Sequence, residues 1–284
     1  MPLVRYTVLD FRIARTGPTP LRLLADWGVQ VIRIESMNTP ALTVNGAVAT
    51  ITLRRPQQAN RLEPDDLLAI SEHVAQVNAT PEVLVLRIEA TGKTFCAGYD
   101  IGQIGGARPV AFEDMVNALE DAHPVTMVLL QGGVYGGATD LALACDFRLG
   151  STATEMFMPA ARLGLHFYRR GLERYVSRLG VDQAKRLFLT AEKIDAPEMK
   201  AIGFLTHLLA PDALPSTADQ LCATLAGMAP LPLVGMKKNL NRIARGTLDV
   251  GDLQRDIERA AASHDLQEGR TAWAEKRPPR FTGQ

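Results

Sequence analysis

The chain has 284 residues, 46% hydrophobic and 22% charged, which is the composition of a soluble globular protein with room for a sizeable core. Its 31 basic and 31 acidic residues cancel, so no net charge draws it to nucleic acid or to an anionic membrane surface. Three cysteines without a C-x-x-C, no apolar run near the ~18 residues of a membrane span and no secretory signal pattern argue against disulfides, zinc and a membrane, and lead us to expect a cytoplasmic protein.

The chain opens with a strand-like run, Tyr6–Phe11. A helical stretch follows from Gly17 to Gly28, with prolines near its start and a glycine stop, and then a second alternating strand, Val29–Glu35. Strand, helix and strand at this length make a small βαβ unit. Residues 3–36, with Val8-Leu-Asp10, Gly17-Pro18 and Leu24-Ala-Asp-Trp-Gly28, resemble the opening of a family III CoA-transferase. The rest of that fold is absent, so the segment reads as an appended extension, with a protein partner as its possible role.

A polar link, 36–40, leads to a hairpin over Leu42–Leu53, whose turn is Asn45-Gly46. Pro64 opens a helix through about Asn78, with Leu67, Leu68, Ile70, Val74 and Val77 on its apolar side. Strands are expected at Val83–Ile88 and Val125–Leu130, with a helix from Ala111 to Ala122 between them. The second strand carries no charge, as expected where both faces are covered. Past it stand Gly132, Gly133, Gly136 and Gly137, and a short apolar helix begins near Gly137. Short strands at 147–149 and 156–158, helices at 170–179, 181–190 and 196–202, and an almost wholly helical stretch from Asp212 to Lys276 complete the chain. Strands alternating with helices imply an α/β fold with a mostly parallel sheet.

Two glycine-bearing loops follow buried strands: Thr91-Gly-Lys-Thr-Phe-Cys-Ala-Gly-Tyr-Asp-Ile-Gly-Gln103 and Gln131-Gly-Gly-Val-Tyr-Gly-Gly-Ala-Thr-Asp140. The second loop contains no Gly-Lys-Ser/Thr and no G-x-G-x-x-G in frame, so a nucleotide phosphate loop is disfavoured there. A helix that starts in glycines offers unpaired N–H donors to negative charge. Two such turns aimed at one oxygen form an oxyanion hole; the alternative is a pair of ordinary tight turns.

These two loops resemble the signature of the crotonase (enoyl-CoA hydratase/isomerase) superfamily. So do Leu53-Arg-Arg-Pro-Gln-Gln-Ala-Asn-Arg-Leu62 and the closing Glu268–Phe281. The resemblance implies a crotonase-like ββα spiral core over 41–205, a C-terminal helical trimerisation region over 206–284 and a βαβ extension over 1–37. It further implies an acyl-CoA substrate, with coenzyme A as part of the substrate and no separate cofactor, a role in fatty acid metabolism, and a homotrimer or hexamer. Hydratase or isomerase chemistry is the family-level expectation.

By the same resemblance the oxyanion donors are the backbone N–H groups of Tyr99 and Gly137; the Tyr99 side chain alternatively shapes the acyl pocket. Asp140 takes the position of a family glutamate and would face the thioester, or else is an aspartate stabilised at a helix N-terminus. The second family carboxylate falls on Ala160, which cannot move a proton. His166 and Tyr168 are candidates to replace it; a loop histidine is otherwise structural. Ala59, Arg61, Ala97, Asp100 and Ile101 are expected to contact coenzyme A. Lys237 and Lys238 meet its phosphates or form a solvated helix face. Cys96 and Cys145 read as buried and inert. No histidine has metal-ligand spacing, so no metal is expected. The missing carboxylate keeps two alternatives open: a methylmalonyl-CoA decarboxylase-like enzyme and a non-catalytic acyl-CoA-binding subunit.

Overall fold

The computed structural model describes residues 7–10, 30–33, 38–103, 106 and 109–284. The chain divides into two compact units, Met1–Thr39 and Pro40–Gln284. In the first, strands β1 (Thr7–Asp10) and β2 (Gln30–Arg33) pair in parallel, Thr7 opposite Gln30. The helix expected between them lies outside the described residues.

The second unit is built on a six-stranded sheet. Its strands are β3 (Ala41–Asn45), β4 (Val48–Leu53), β5 (Val85–Ala90), β6 (Val125–Leu130), β8 (Phe147–Ser151) and β11 (His207–Leu209). The spatial order is β11-β8-β6-β5-β4-β3. Only the β3–β4 hairpin is antiparallel; its turn glycine, Gly46, has φ +57°, a left-handed conformation that a side chain resists. Along β4 burial alternates, with Ala49, Ile51 and Leu53 inward, whereas every residue of β6 is buried.

The full burial of β6 reflects a core on each face of the sheet. Leu86, Ile88, Val128 and Leu130 join one cluster with Leu67, Ile70, Val74 and Val77 of α1 (Pro64–Asn78), and with Met115 and Leu119 of α2 (Phe112–Glu120). Val85, Met127, Leu129 and Leu149 join the other with Leu214, Ala218, Cys222 and Leu225 of a helix spanning Ala213–Ala226. Each fully buried Leu, Ile or Val stabilises the fold by about 1.5–3 kcal/mol relative to exposure.

A small second sheet, β10 (Ile194–Asp195), β9 (Glu155–Phe157) and β7 (Val134–Tyr135), stands beyond the end of β6. The helices in chain order are α1, α2, α3 (Gly137–Ala144), α4 (Arg169–Leu179), α5 (Val181–Thr190), α6 (Ala196–Ala201), α7 (Ala213–Ala226), α8 (Pro230–Ala244), α9 (Val250–Ala261) and α10 (His264–Glu275). Among the described residues no helix is long and apolar enough to cross a membrane. The glycine loops leave the carboxyl ends of β5 and β6, where open α/β sheets place their ligands.

Candidate active site

The site begins with Asn60. It is 2% exposed, and its side chain accepts from Arg55 N (2.8 Å) and donates to Thr91 O (2.8 Å) and Thr94 O (2.9 Å). These bonds tie the segment before α1 to the loop after β5, and they hold Ala59 and Asn60 at left-handed φ of 51°. The two segments then run side by side: Ala97 N donates to Ala59 O, Leu62 N to Gly98 O and Asp100 N to Leu62 O, at 2.8–2.9 Å. On its other side the loop is laced to β7, with Cys96 N donating to Gly133 O (3.2 Å) and Tyr135 N to Cys96 O (3.0 Å). Four of the residues expected to contact coenzyme A are thereby gathered, since Arg61 also reaches Asp100 at 3.6 Å. Ile101 lies just beyond, 60% exposed.

The two glycine turns meet backbone to backbone. Gly98 has φ +89°, and a Cβ built on it would stand 2.6 Å from Tyr135 O and 3.2 Å from Gly137 N. Gly98 O and Asp100 N both bond to Leu62, so the alternation of an extended segment aims the intervening Tyr99 N–H away from that edge. Gly136, at φ 54° and ψ −128°, caps α3, and its N–H donates to Phe157 O (3.0 Å). Gly137 is the first residue of α3, where N–H groups have no intrahelical partner and the helix dipole is positive. The ring of Phe112 lies on Gly137, 2.6 Å from where a Cβ would be. That ring stands 5.9 Å from Tyr99 and 6.4 Å from Tyr168, and Phe167 stacks on Tyr168 at 4.7 Å. An aromatic wall thus flanks the paired turns.

Asp140 lies one helical turn past Gly137 and is fully buried. Its carboxylate is not bare. Arg174 Nη1 donates to both oxygens at 2.7 Å, and the Tyr168 hydroxyl donates to Oδ2. Arg174, 2% exposed, also donates to Glu120 through Nε and Nη2 (3.1 Å each) and to Asn117 Oδ1 (3.0 Å). Arg170 and Arg245 complete the cluster on Glu120 and Asp121. Burial raises the Asp140 carboxyl above its ordinary value, with Arg174 and Tyr168 pulling the other way. Burial also pushes Glu120 up, but Arg174 and Arg170 outweigh it and hold that carboxyl down to about 2. Burial and the facing carboxylate drive the Tyr168 phenol far above its usual range.

The remaining expected residues divide. Ala160 is 4% exposed beside Pro159, whose ring packs against Gly136, so a methyl group stands where the family pattern places a carboxylate. His166 is exposed, with Nδ1 2.8 Å from Phe167 O, and is not among the groups bonded to Asp140. Neither expected role of Lys237 holds. It is buried, donating to Pro124 O (2.5 Å) and paired with Asp146 (2.9 Å). Lys238 is held by Asp252 and Asp256 at 2.7 Å, its charge already met by carboxylates. Cys96 and Cys145 are buried, their thiols pushed up to about 12 by desolvation.

Sequence reasoning missed Arg174 and Glu120. One signal was available: an aspartate inside the apolar run of α3 must find a cation if buried. Gly171, Arg174, Tyr175 and Leu179 form the buried face of α4, which marks Arg174 among its neighbours.

The chain matches the enoyl-CoA hydratase/isomerase family pattern over residues 43–284. It is 29% identical over 257 residues to the crotonyl-CoA hydratase of Syntrophomonas wolfei, covering 82% of this chain and 94% of that protein. It is 26% identical over 254 residues to the methylmalonyl-CoA decarboxylase of Escherichia coli, covering 85% and 97%. Its fold matches the solved enoyl-CoA hydratase subunit I of Geobacillus kaustophilus with a TM-score of 0.77 at 26% identity, over 87% of this chain and 98% of that one. With a family match over most of its length and the same fold in a solved relative, the chain belongs to the enoyl-CoA hydratase/isomerase family.

Proposed function

We propose that the protein binds an acyl-CoA thioester between the two glycine turns and stabilises its enolate, in hydratase or isomerase chemistry. The observation that carries this reading is the close approach of the two turns, with Gly137 N 3.2 Å from where a Cβ on Gly98 would stand. Placed there, a thioester oxygen accepts from Tyr99 N–H and Gly137 N–H as its charge develops. Two fixed donors, one of them at a helix N-terminus, gain strength as the carbonyl becomes an enolate, and losing one such donor costs about 3 kcal/mol. The Tyr168–Asp140 pair lies one turn along α3, ~5 Å of helix rise from Gly137, within reach of the carbons next to the thioester. Ala59, Arg61, Ala97 and Asp100 line the approach for the coenzyme, which enters as part of the substrate. The exposed apolar residues Met236, Leu240 and Ile243 of α8, with Val250 and Ile257 of α9, fit a homo-oligomer of three or six copies.

Hydration of crotonyl-CoA, read as loss of the enoyl-thioester absorbance, tests the proposal, with longer enoyl-CoAs and a malonyl-type thioester in parallel. Turnover of an enoyl-CoA supports it. Tight acyl-CoA binding by calorimetry with no turnover of any thioester would overturn it in favour of a binding protein, and loss of CO2 from the malonyl thioester alone would reassign the reaction.

A further inference from the structure

We infer that Arg174, anchored by Glu120, is a positioning residue that holds Asp140 against Tyr168, so that the Tyr168 hydroxyl is the side-chain group that meets the substrate. The inference rests on the functional reading above and assigns its proton handling.

The geometry is one of occupancy. Asp140 is fully buried, with both oxygens taken by Arg174 and Oδ2 shared with Tyr168. A Cβ at Gly171 would lie 3.2 Å from Asp140 Oδ2, so a glycine at that turn of α4 lets the helix approach the carboxylate closely. A carboxylate enclosed in this way has no exposed surface to present to a thioester. Tyr168 is only partly buried, and its ring stands by Phe112, which lies on Gly137. Tyr168 is therefore the least buried residue of the chain Glu120–Arg174–Asp140–Tyr168 and its end nearest the glycine turns.

The chain gives the phenol direction. Tyr168 donates its proton to Asp140, which leaves the oxygen lone pairs as acceptors. A hydrogen bond to a carboxylate in a low-dielectric setting polarises the donor and makes its oxygen a stronger acceptor. In hydration the water oxygen bonds to the β carbon as one water O–H bond breaks. That proton passes to Tyr168 Oη while the tyrosine's own proton passes to Asp140. The reverse transfer delivers one proton to the α carbon as the enolate collapses, so one water is added and no proton is left over. The protein then needs no carboxylate at position 160, where it has a methyl.

The ionised state of Asp140 depends on the charges around it. Arg174 and Tyr168 face it from α4, and Glu120 faces Arg174 from α2 with Arg170 and Arg245 behind it. The Tyr175 hydroxyl from α4 is bonded to Thr139 beside it. Without Arg174 the carboxyl is buried with no cation, so it keeps its proton to higher pH.

The test measures kcat and KM for enoyl-CoA hydration from pH 5 to 9 in the wild type and four variants. Tyr168→Phe removes one oxygen and keeps the ring stack, so kcat falls about 100-fold or more while KM stays within about 3-fold. Arg174→Met moves the acidic limb of kcat upward by one pH unit or more. Arg174→Lys restores the cation and brings the limb part of the way back, and Glu120→Gln, which removes a charge that raises the Asp140 carboxyl, moves it slightly downward. If Arg174→Met fails to fold, Tyr168→Phe and Arg174→Lys decide. Wild-type kcat in Tyr168→Phe, or an unmoved limb in the Arg174 variants despite lower kcat, overturns the inference and leaves Arg174 a structural residue. A wild type that turns over no thioester overturns the functional reading and this inference with it.

Discussion

Replacing Gly98 by alanine tests the convergence of the two turns at its narrowest point. The new Cβ would lie 2.6 Å from Tyr135 O and 3.2 Å from Gly137 N, both backbone atoms that no rotamer change can move aside. Reaching the 3.4 Å of an ordinary contact requires the Tyr135 carbonyl to retreat by about 0.8 Å. Tyr135 N is bonded to Cys96 O at 3.0 Å, so the retreat pulls on the link between the turns. The φ of +89° adds the cost of a side chain in a left-handed region, about 1–2 kcal/mol. A displacement approaching 1 Å at a reacting centre costs about 100-fold in rate, which agrees with the ~3 kcal/mol of one oxyanion donor. Gly46→Ala is the matched control, because Gly46 has φ +57° with nothing within 4 Å of its built Cβ. Both variants should melt lower than wild type, by a few degrees per kcal/mol in a unit of this size. Only Gly98→Ala should also lose about 100-fold in kcat on crotonyl-CoA. A Gly98→Ala enzyme with kcat within 3-fold of wild type would show that the meeting of the turns is not what stabilises the enolate.

Two further outcomes follow from buried polar groups. Asn60→Ala strands Thr91 O and Arg55 N and leaves Thr94 O with only a 3.4 Å bond from Gln131, so it should destabilise the fold by about 3 kcal/mol in thermal melts and raise KM for CoA esters as the Ala59–Arg61 segment loosens. Glu120 has a folded pKa depressed to about 2 from an ordinary 4.5, so its stabilisation is fully present above pH 4.5 and is lost as pH falls towards 2. That loss is about 3 kcal/mol at 1.36 kcal/mol per unit. Acid melts of Glu120→Gln should show a flatter decline over this window than wild type, and parallel curves would refute the assignment.

The sheet was legible because hydrophobicity reports burial directly. Val125–Leu130 has no charge, and all of it is covered. The start of α3 at Gly137 was legible because glycines mark where the backbone must turn. The strand expected at Val83–Ile88 pairs instead over Val85–Ala90. Val83 and Leu84 are buried before the ladder begins, while Glu89 pairs opposite Thr52 despite its charge. Apolar character locates the core, whereas strand pairing follows backbone hydrogen bonds that polar residues also make. The charged partners were the least legible part. The segment 169–178 offers four arginines, of which Arg174 is buried while the Arg169 side chain is 88% exposed. Lys237 looks like a surface lysine in a polar helix, yet its ammonium closes on Pro124 O and Asp146. Long side chains reach partners more than a hundred residues away, and local spacing carries no record of that choice.

The site therefore separates two tasks that obey different physics. On the proposed function, charge on the thioester oxygen is met by backbone donors, which need glycine at a few positions and constrain few side chains. Proton transfer needs a titratable group, and Asp140, the carboxylate one turn past Gly137, is sealed inside the protein with an arginine. Burying that carboxylate unpaired would cost several kcal/mol, so its cation is a condition of the fold. On the proposed reading, the same pairing closes the carboxylate off from the thioester, which makes the hydroxyl of the partly buried Tyr168 the natural carrier of the proton. The buried ion pair and the methyl group at Ala160 are on this view two sides of one arrangement: a second carboxylate is dispensable where the first acts through a tyrosine.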